Sequence, residues 1–243
     1  MLGVGNSFIN YNRIESAISN TASIKFDGVN DYLDASTSAG SINTATGSMS
    51  IWGNLTTGSN NDSYFMTSIG TSPDNKIGVI HNTGSDIIRG FYKGGGTQIN
   101  VDKSITEASL ISAGWHHIVL TWDTTDKVKL YYNGVLEDEA TISDNAFEGT
   151  TSNVILGKGA NANNTYWAGY LDEYSLWKRV LAADEITTIY NSGTPKDLTE
   201  GHSAGLIQWL RFESTATTVP DDSGNGFTGT EQGSTSGDTD SKP

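Results

Sequence analysis

The sequence predicts an all-β chain, a sandwich of two antiparallel sheets with one short helix. Three observations carry this. From Ile24 onward, short β-type runs are broken by Gly, Asn, Asp, Ser and Thr every ~8–12 residues, the spacing of a sandwich or barrel rather than of βαβ units. Within Trp115-His116-His117-Ile118-Val119-Leu120-Thr121-Trp122-Asp123, Ile118, Leu120 and Trp122 share one face while His117, Val119 and Thr121 share the other. A helical period recurs convincingly in one stretch only, Ala182 to Tyr190.

The elements follow in order. Residues 1–22 carry Phe8, Ile9, Tyr11, Ile14 and Ile18 without regular period, and read as an arm that docks on another surface. Strands are expected at Ile24–Asp27, Tyr32–Asp34, Ser48–Leu55, Ser63–Gly70, Lys76–His81, Ile87–Tyr92 and Gln98–Val101, with Gly94-Gly95-Gly96 as a hairpin or bulge between two of them. After the strand at 115–123, Val128, Leu130 and Tyr132 alternate with Lys127, Lys129 and Tyr131. Asn133-Gly134 then supplies the two positive-φ residues of a type I′ turn, so Val135-Leu136-Glu137 folds straight back. Further strands are expected at Asn153–Gly157, Trp167–Trp177 and Leu206–Glu213. The helix has Asp184 and Glu185 in its first turn, favourable to its dipole, and Gly193 beyond its end as the C′ residue. Residues 224–243 have the Gly/Ser/Thr/Asp composition of disordered chain.

Composition narrows the chemistry. The chain has 243 residues, 28 acidic against 14 basic for a net charge of −14, and no cysteine. That field repels polyphosphate and anionic lipid, so nucleic acid and membrane are poor partners. The absence of cysteine removes disulfides, thiolate zinc sites and thiol nucleophiles together. The first ten residues lack the basic start and apolar run of a secretion signal, and no stretch approaches the ~20 apolar residues of a membrane span.

Four stretches together resemble the laminin-G-like branch of the concanavalin A-like jelly rolls, in its bacterial and phage form. They are Ser23-Ile24-Lys25-Phe26-Asp27-Gly28-Val29-Asn30-Asp31-Tyr32-Leu33; Gly114-Trp115-His116-His117-Ile118-Val119-Leu120-Thr121-Trp122-Asp123; Lys129-Leu130-Tyr131-Tyr132-Asn133-Gly134-Val135-Leu136; and Gly169-Tyr170-Leu171-Asp172-Glu173-Tyr174-Ser175-Leu176-Trp177 with the helix after it. The resemblance implies a jelly-roll sandwich over residues 23–193, which leaves the arm at 1–22 before it, a trailing strand and Asp-Ser-Gly-Asn-Gly loop at 194–230 after it, and a Gly/Ser-rich tail at 231–243. In most relatives a segment like the trailing one comes first; its place at the end resembles tandem arrays cut at a different point, and also structural proteins of tailed phages. It either completes the same sandwich, the favoured reading, or pairs with a neighbouring chain. The resemblance also implies a structural calcium where Asp172 meets the turn of Asp27 and Asn30, the simpler alternative being that Asp27 only bonds its own turn.

Other candidate residues are weighed against plainer roles. A glycan site needs an aromatic plate with amides, a composition found in Asn163, Asn164, Tyr166 and Trp167, and again near Asn60-Asn61-Asp62-Ser63-Tyr64. Trp52, Trp115, Trp122, Trp177 and Trp209 lie in apolar alternation and read as core. His116 and His117, neighbours on a strand, point to opposite faces and do not chelate one ion. Laminarinase-type hydrolases share this sandwich, but Glu137-Asp138-Glu139 lacks their third acid and sits past a hairpin turn. The resulting expectation is a non-enzymatic structural or adhesion protein of a phage particle (capsid decoration, fibre or attachment protein), self-associating or bound to other virion proteins. The alternative is a carbohydrate-binding lectin module of a bacterial surface or polysaccharide-degrading protein, located outside the cell and bound to surface glycans.

Overall fold

A computed structural model describes residues 18–58, 63–70, 74–142, 147–159, 165–214, 216–233, 236–238, 241 and 243. Strands β1 (Ser23–Asp27) and β2 (Tyr32–Asp34) flank the Asp27 turn, and β3 (Thr46–Leu55), β4 (Ser63–Gly70), β5 (Lys76–Asn82), β6 (Ile87–Gly94) and β7 (Thr97–Ser104) follow. Helix α1 (Glu107–Ala113) leads into a meander of β8 (His116–Asp123), β9 (Lys127–Tyr132) and β10 (Val135–Thr141). After β11 (Thr151–Leu156) and β12 (Ala168–Trp177) comes helix α2 (Ala183–Tyr190), then β13 (Leu206–Leu210), β14 (Thr218–Val219), β15 (Gly229–Gln232) and β16 (Ser236–Asp238).

Two eight-stranded antiparallel sheets result. One runs β10-β9-β8-β3-β12-β1-β16 with β13 also on β12; the other runs β14-β15-β2-β11-β4-β5-β6-β7. The alternation read at 115–123 sets the layers. Ile118, Leu120 and Trp122 face the other sheet and join Phe26, Leu33, Met49, Phe65, Val79 and Tyr92 in one core. Val119 and Tyr131 turn outward into a second apolar cluster with Trp177, Leu181, Ile186, Ile189 and Trp209, which α2 and the chain after it cover. The hairpin after β9 forms as its sequence dictates: Asn133 has φ 50° and Gly134 φ 79°, and Val135 pairs with Tyr132.

Several particulars differ from the sequence reading. A second α-helix, α1, exists; it is seven residues long and buries only Leu110, too little to mark a period. Its signal was the Thr106 cap, whose Oγ1 accepts from Ser109 N at 3.2 Å. Helix α2 ends not on Gly193 but on Asn191, which takes the left-handed conformation at φ 46°, as Asn tolerates better than most residues. Trp115 stands just ahead of β8 and is half-buried, not core.

The trailing segment lies in this chain's own sandwich. β13 pairs with β12 (Tyr174↔Leu210, Ser175↔Trp209), and β15 pairs with β2 in the other sheet (Thr230↔Asp34). Side chains bond the backbone of the loop ahead of β15: Asp221 Oδ2 accepts from Phe227 N at 2.9 Å, and Asn225 Nδ2 donates to the Leu206 and Ile207 carbonyls at 3.0 and 2.9 Å. Of the arm expected at 1–22, residues 1–17 lie outside the described residues.

Candidate functional site

On β2 and β11, residues alternate between core and outer face. Leu33 and Leu156 face inward, fully buried, and pair with each other; Asp34 and Ile155, also paired, face outward. The outward set, Tyr32, Asp34, Ser36, Asn153, Ile155 and Lys158, lines a groove of about 240 Å³ on the free face of the second sheet. Lys158 is its centre. Its Nζ lies 4.4 Å from the Tyr32 ring centroid and 5.4 Å from that of Tyr166, within reach of cation–π attraction to both. The backbone fixes this arrangement: Lys158 and Tyr166 form an isolated antiparallel bridge, and Thr67 Oγ1 donates to the Lys158 carbonyl at 3.1 Å.

Among the described residues no carboxylate lies within ion-pair distance of Lys158. The ammonium therefore keeps donors for a ligand oxygen. Asp34 uses Oδ1 to accept from Ser36 N at 2.9 Å, which orients the carboxylate in the groove. Two aromatic faces, one ammonium, one carboxylate and one amide together fit a compact, hydroxyl-bearing ligand.

Of the four residues expected at a glycan site, Tyr166 stands beside this groove rather than lining it, its ring centroid 5.4 Å from Lys158 Nζ. Asn163 and Asn164 lie outside the described residues, as does the Asn60–Asp62 stretch. Trp167 is core: it is fully buried, its ring 4.2 Å from that of Phe65, its Nε1 donating to the Tyr170 carbonyl at 3.2 Å. Adjacent residues of an extended chain face opposite ways, so Tyr166 and Trp167 cannot share a surface. Tyr32, Asp34, Asn153 and Lys158 were not singled out from sequence. Their signal was the outward half of the alternation, which carries no mark of function until β2 and β11 are known to be neighbours.

Asp27, Asn30 and Asp172 are not brought together. In the β1–β12 ladder Asp27 pairs with Ala168 and Ile24 with Leu171, so Asp172 lies four residues along the strand from Asp27, roughly 13 Å at ~3.3 Å per residue. Asp27 Oδ1 accepts from Val29 N and Asn30 N at 2.7 and 3.1 Å, the turn-forming role. Against a desolvation that pulls the other way, those amides hold its carboxyl below the usual range. Asp172 is fully buried, with Asn20 Nδ2 donating to Oδ2 at 3.0 Å. Burial, then the neighbouring Glu173, pushes its carboxyl well up. Among the described residues no three His, Asp or Glu side chains cluster as metal ligands. We expect Asp27→Ala to lower stability by about 1 kcal/mol, equally with calcium and with chelator, in thermal melts.

The other sequence candidates are occupied. His117 is buried beneath α2, its Nε2 2.8 Å from Ser50 Oγ, and burial pushes it down to about 3, so the ring is neutral. Glu137 pairs with Lys103 at 3.0 Å and Glu139 with Lys127, with a bulge between Leu136 and Asp138 upsetting any shared face.

A family model described as Laminin_G_3, concanavalin A-like lectin/glucanases superfamily, matches residues 27–187. Among curated proteins, human adhesion G-protein coupled receptor D1 is 30% identical over 100 residues, 39% of this chain and 11% of the receptor, so the match spans about a tenth of that relative's length. Among solved structures, a protein from Bacteroides ovatus with a provisional carbohydrate-binding assignment superposes at TM-score 0.62 with 16% identity, covering 91% of this chain and 60% of that one. Domain 4 of the extracellular arabinanase AbnA from Geobacillus stearothermophilus, solved in complex with arabinotriose, superposes at TM-score 0.54 with 16% identity, over 69% of this chain and 76% of that one. At such identities these two likenesses establish the fold alone.

Proposed function

The chain belongs to the concanavalin A-like lectin/glucanases superfamily, and from that premise we propose that it is a non-enzymatic carbohydrate-binding module acting outside the cell. Its saccharide lies in the groove of Tyr32, Asp34, Asn153 and Lys158, with the Tyr166 ring beside Lys158 at the groove's margin. One observation carries the reading: the Lys158 ammonium, free of any described carboxylate, is held over two tyrosine rings at 4.4 and 5.4 Å. The rings offer apolar faces to sugar C–H groups, Lys158 and Asn153 donate to hydroxyl oxygens, and Asp34 accepts from hydroxyl hydrogens. A saccharide needs these neutral and charged partners in one place, and a bond-breaking carboxyl pair is not required. The two acids nearest to such a pair, Glu137 and Glu139, are spent on lysines.

The Bacteroides ovatus protein and the arabinanase domain support a saccharide as the ligand class, and the receptor supports an extracellular, adhesive setting. The reading as a phage-particle component rests on the first residues' lack of a secretion signal, the acidic charge, the composition of the termini and the order of the trailing segment, and none of the relatives named above adds to it. The test is retardation of the full chain in native gels cast with soluble arabinan, xylan, galactan or β-glucan. We expect Tyr166→Ala and Lys158→Gln each to weaken the response at least about 10-fold, with thermal melts unchanged. Full retardation of both variants would refute the groove.

A further inference from the structure

A second groove repeats the composition of the first. It opens at the mouth between the two sheets, where the ends of β7 and β9 meet α1, and has a volume of about 640 Å³. Its floor is Tyr132. Lys103 Nζ lies 5.1 Å from that ring's centroid, and Asp86 with the hydroxyl residues Ser104, Thr106 and Ser109 forms the walls. The same combination, a tyrosine face beneath a lysine ammonium with an aspartate alongside, thus occurs twice on one domain. In the second sheet β11 and β7 are separated by β4, β5 and β6, on the order of 20 Å at ~4.8 Å per strand.

The platform is rigid before any ligand arrives. His116 Nε2 lies 2.8 Å from the Leu110 carbonyl, to which it must donate, leaving Nδ1 to accept from the Tyr132 hydroxyl at 2.5 Å. Burial lowers the His116 titration and pushes Tyr132 up to about 12, so both stay neutral and the ring keeps its orientation. Glu137, 3.0 Å from Lys103 Nζ, holds the ammonium in position. Asp86, at the turn ahead of β6, has φ 51° and is exposed. Its Oδ1 has one long contact, 3.4 Å from Glu107 N. Ordering costs on binding are correspondingly small for Tyr132 and Lys103, whereas the exposed Asp86 side chain has rotamer freedom to lose.

We propose that this mouth groove is a second saccharide-binding site, with Tyr132 as the stacking face, Lys103 as donor and Asp86 as acceptor, so that one chain holds a polysaccharide at two points. The inference rests on the carbohydrate-binding reading of the first groove. With Asp86 and Glu137 against Lys103, the groove carries net negative charge, so its ligand is a neutral rather than an acidic sugar. Two tethered sites on one polymer raise avidity by roughly 10²-fold or more over either alone.

The experiment uses the full chain in native gels cast with arabinan, xylan, galactan or β-glucan, followed by calorimetric titration with the trisaccharide of whichever polymer slows it. Asp86→Asn/Lys103→Gln alters the mouth, with Asn chosen because it tolerates the left-handed conformation; Lys158→Gln/Tyr166→Ala alters the first groove. We expect two equivalents of trisaccharide for the unaltered chain and one for each variant, each variant's retardation reduced about 100-fold in apparent affinity, and none left in the combined variant. A single equivalent with an unaffected mouth variant overturns the second site and leaves the first standing. Loss confined to the mouth variant overturns the first groove and leaves the second. No retardation of the unaltered chain on any of the four polymers overturns both. Thermal melts of each variant separate lost binding from lost folding.

Discussion

A chain cut before β13, ending at Ala204, is expected to lose cooperative unfolding altogether. Leu206, Ile207, Trp209, Leu210 and Phe212 are all within the two apolar clusters, none more than 8% exposed. At ~1.5–3 kcal/mol for each buried side chain, they contribute roughly 8–15 kcal/mol, as much as the whole stability of an ordinary domain. The cut also frees the edge of β12 from Tyr174 to Trp177 and removes both Trp209 Nε1, 2.6 Å from Glu173 Oε2, and Arg211. Far-UV circular dichroism during heating checks this. A single sharp transition within a few degrees of the full chain would mean that the trailing strand is dispensable to this fold and free to pair elsewhere.

Removal of Arg211 should be costly in a pH-dependent way. β12 changes neighbour at Asp172-Glu173: β1 pairs with its first half and β13 with its second, and Glu173 marks the break with φ 49°. The two acids fill the gap. Glu173 is 4% exposed, accepts from Trp209 Nε1, and lies 3.3 Å from Arg211 Nε; Arg211 Nη2 also donates to the Ser19 carbonyl at 2.8 Å. Burial pushes Glu173 up to about 8, with Arg211 opposing that rise, and burial raises Asp172 as well.

The sign follows from linkage. A carboxyl whose folded value lies above its unfolded one contributes stability that is complete below the unfolded value and is lost as pH rises through the folded value. Glu173 therefore destabilises the fold progressively between its ordinary 4.5 and about 8. Glu185 acts oppositely: a hydrogen bond from Arg179 pulls it down to about 2, so its contribution is lost as pH falls from 4.5 toward 2. Melting temperature should peak near pH 5 and decline on both sides. At pH 9 Arg211→Met drives the Glu173 carboxyl further up and back to its neutral form, which adds about 1.4 kcal/mol to the lost hydrogen bonds and makes the cost roughly 2.5–3.5 kcal/mol. At pH 5 Glu173 carries its own proton, and the loss reduces to hydrogen bonds worth ~1–2 kcal/mol. Glu173→Gln on the Arg211→Met background should recover most of the deficit at pH 9. A deficit independent of pH would assign Arg211 a packing role instead.

Legibility differed between fold and site for a physical reason. Strand existence was readable because alternation is a local property. β8 repeats every two residues, and the Asn133-Gly134 turn carries its conformation in its own side-chain chemistry. Helix α1 escaped because a seven-residue helix with one buried position has no period to detect. Residues 216–233 escaped because composition reports the capacity to bury apolar surface, whereas this loop is held by Asp221, Ser223 and Asn225 bonding backbone. The glycan candidates split at adjacent positions: Tyr166 is at the groove while Trp167 lies in the core.

By itself, then, the amino-acid order determined a β-sandwich with one outer helix, the hairpin after Tyr132, an acidic surface, and a chemistry without thiols. Which strands became neighbours was decided by packing between residues more than a hundred positions apart. That packing put Tyr32 and Asp34 beside Asn153 and Lys158, moved Asp172 away from the Asp27 turn, and gave the trailing strand to its own chain. Side-chain direction is local and repeats in sequence; the identity of the strand alongside is not, because it depends on which apolar faces bury each other best once all are present.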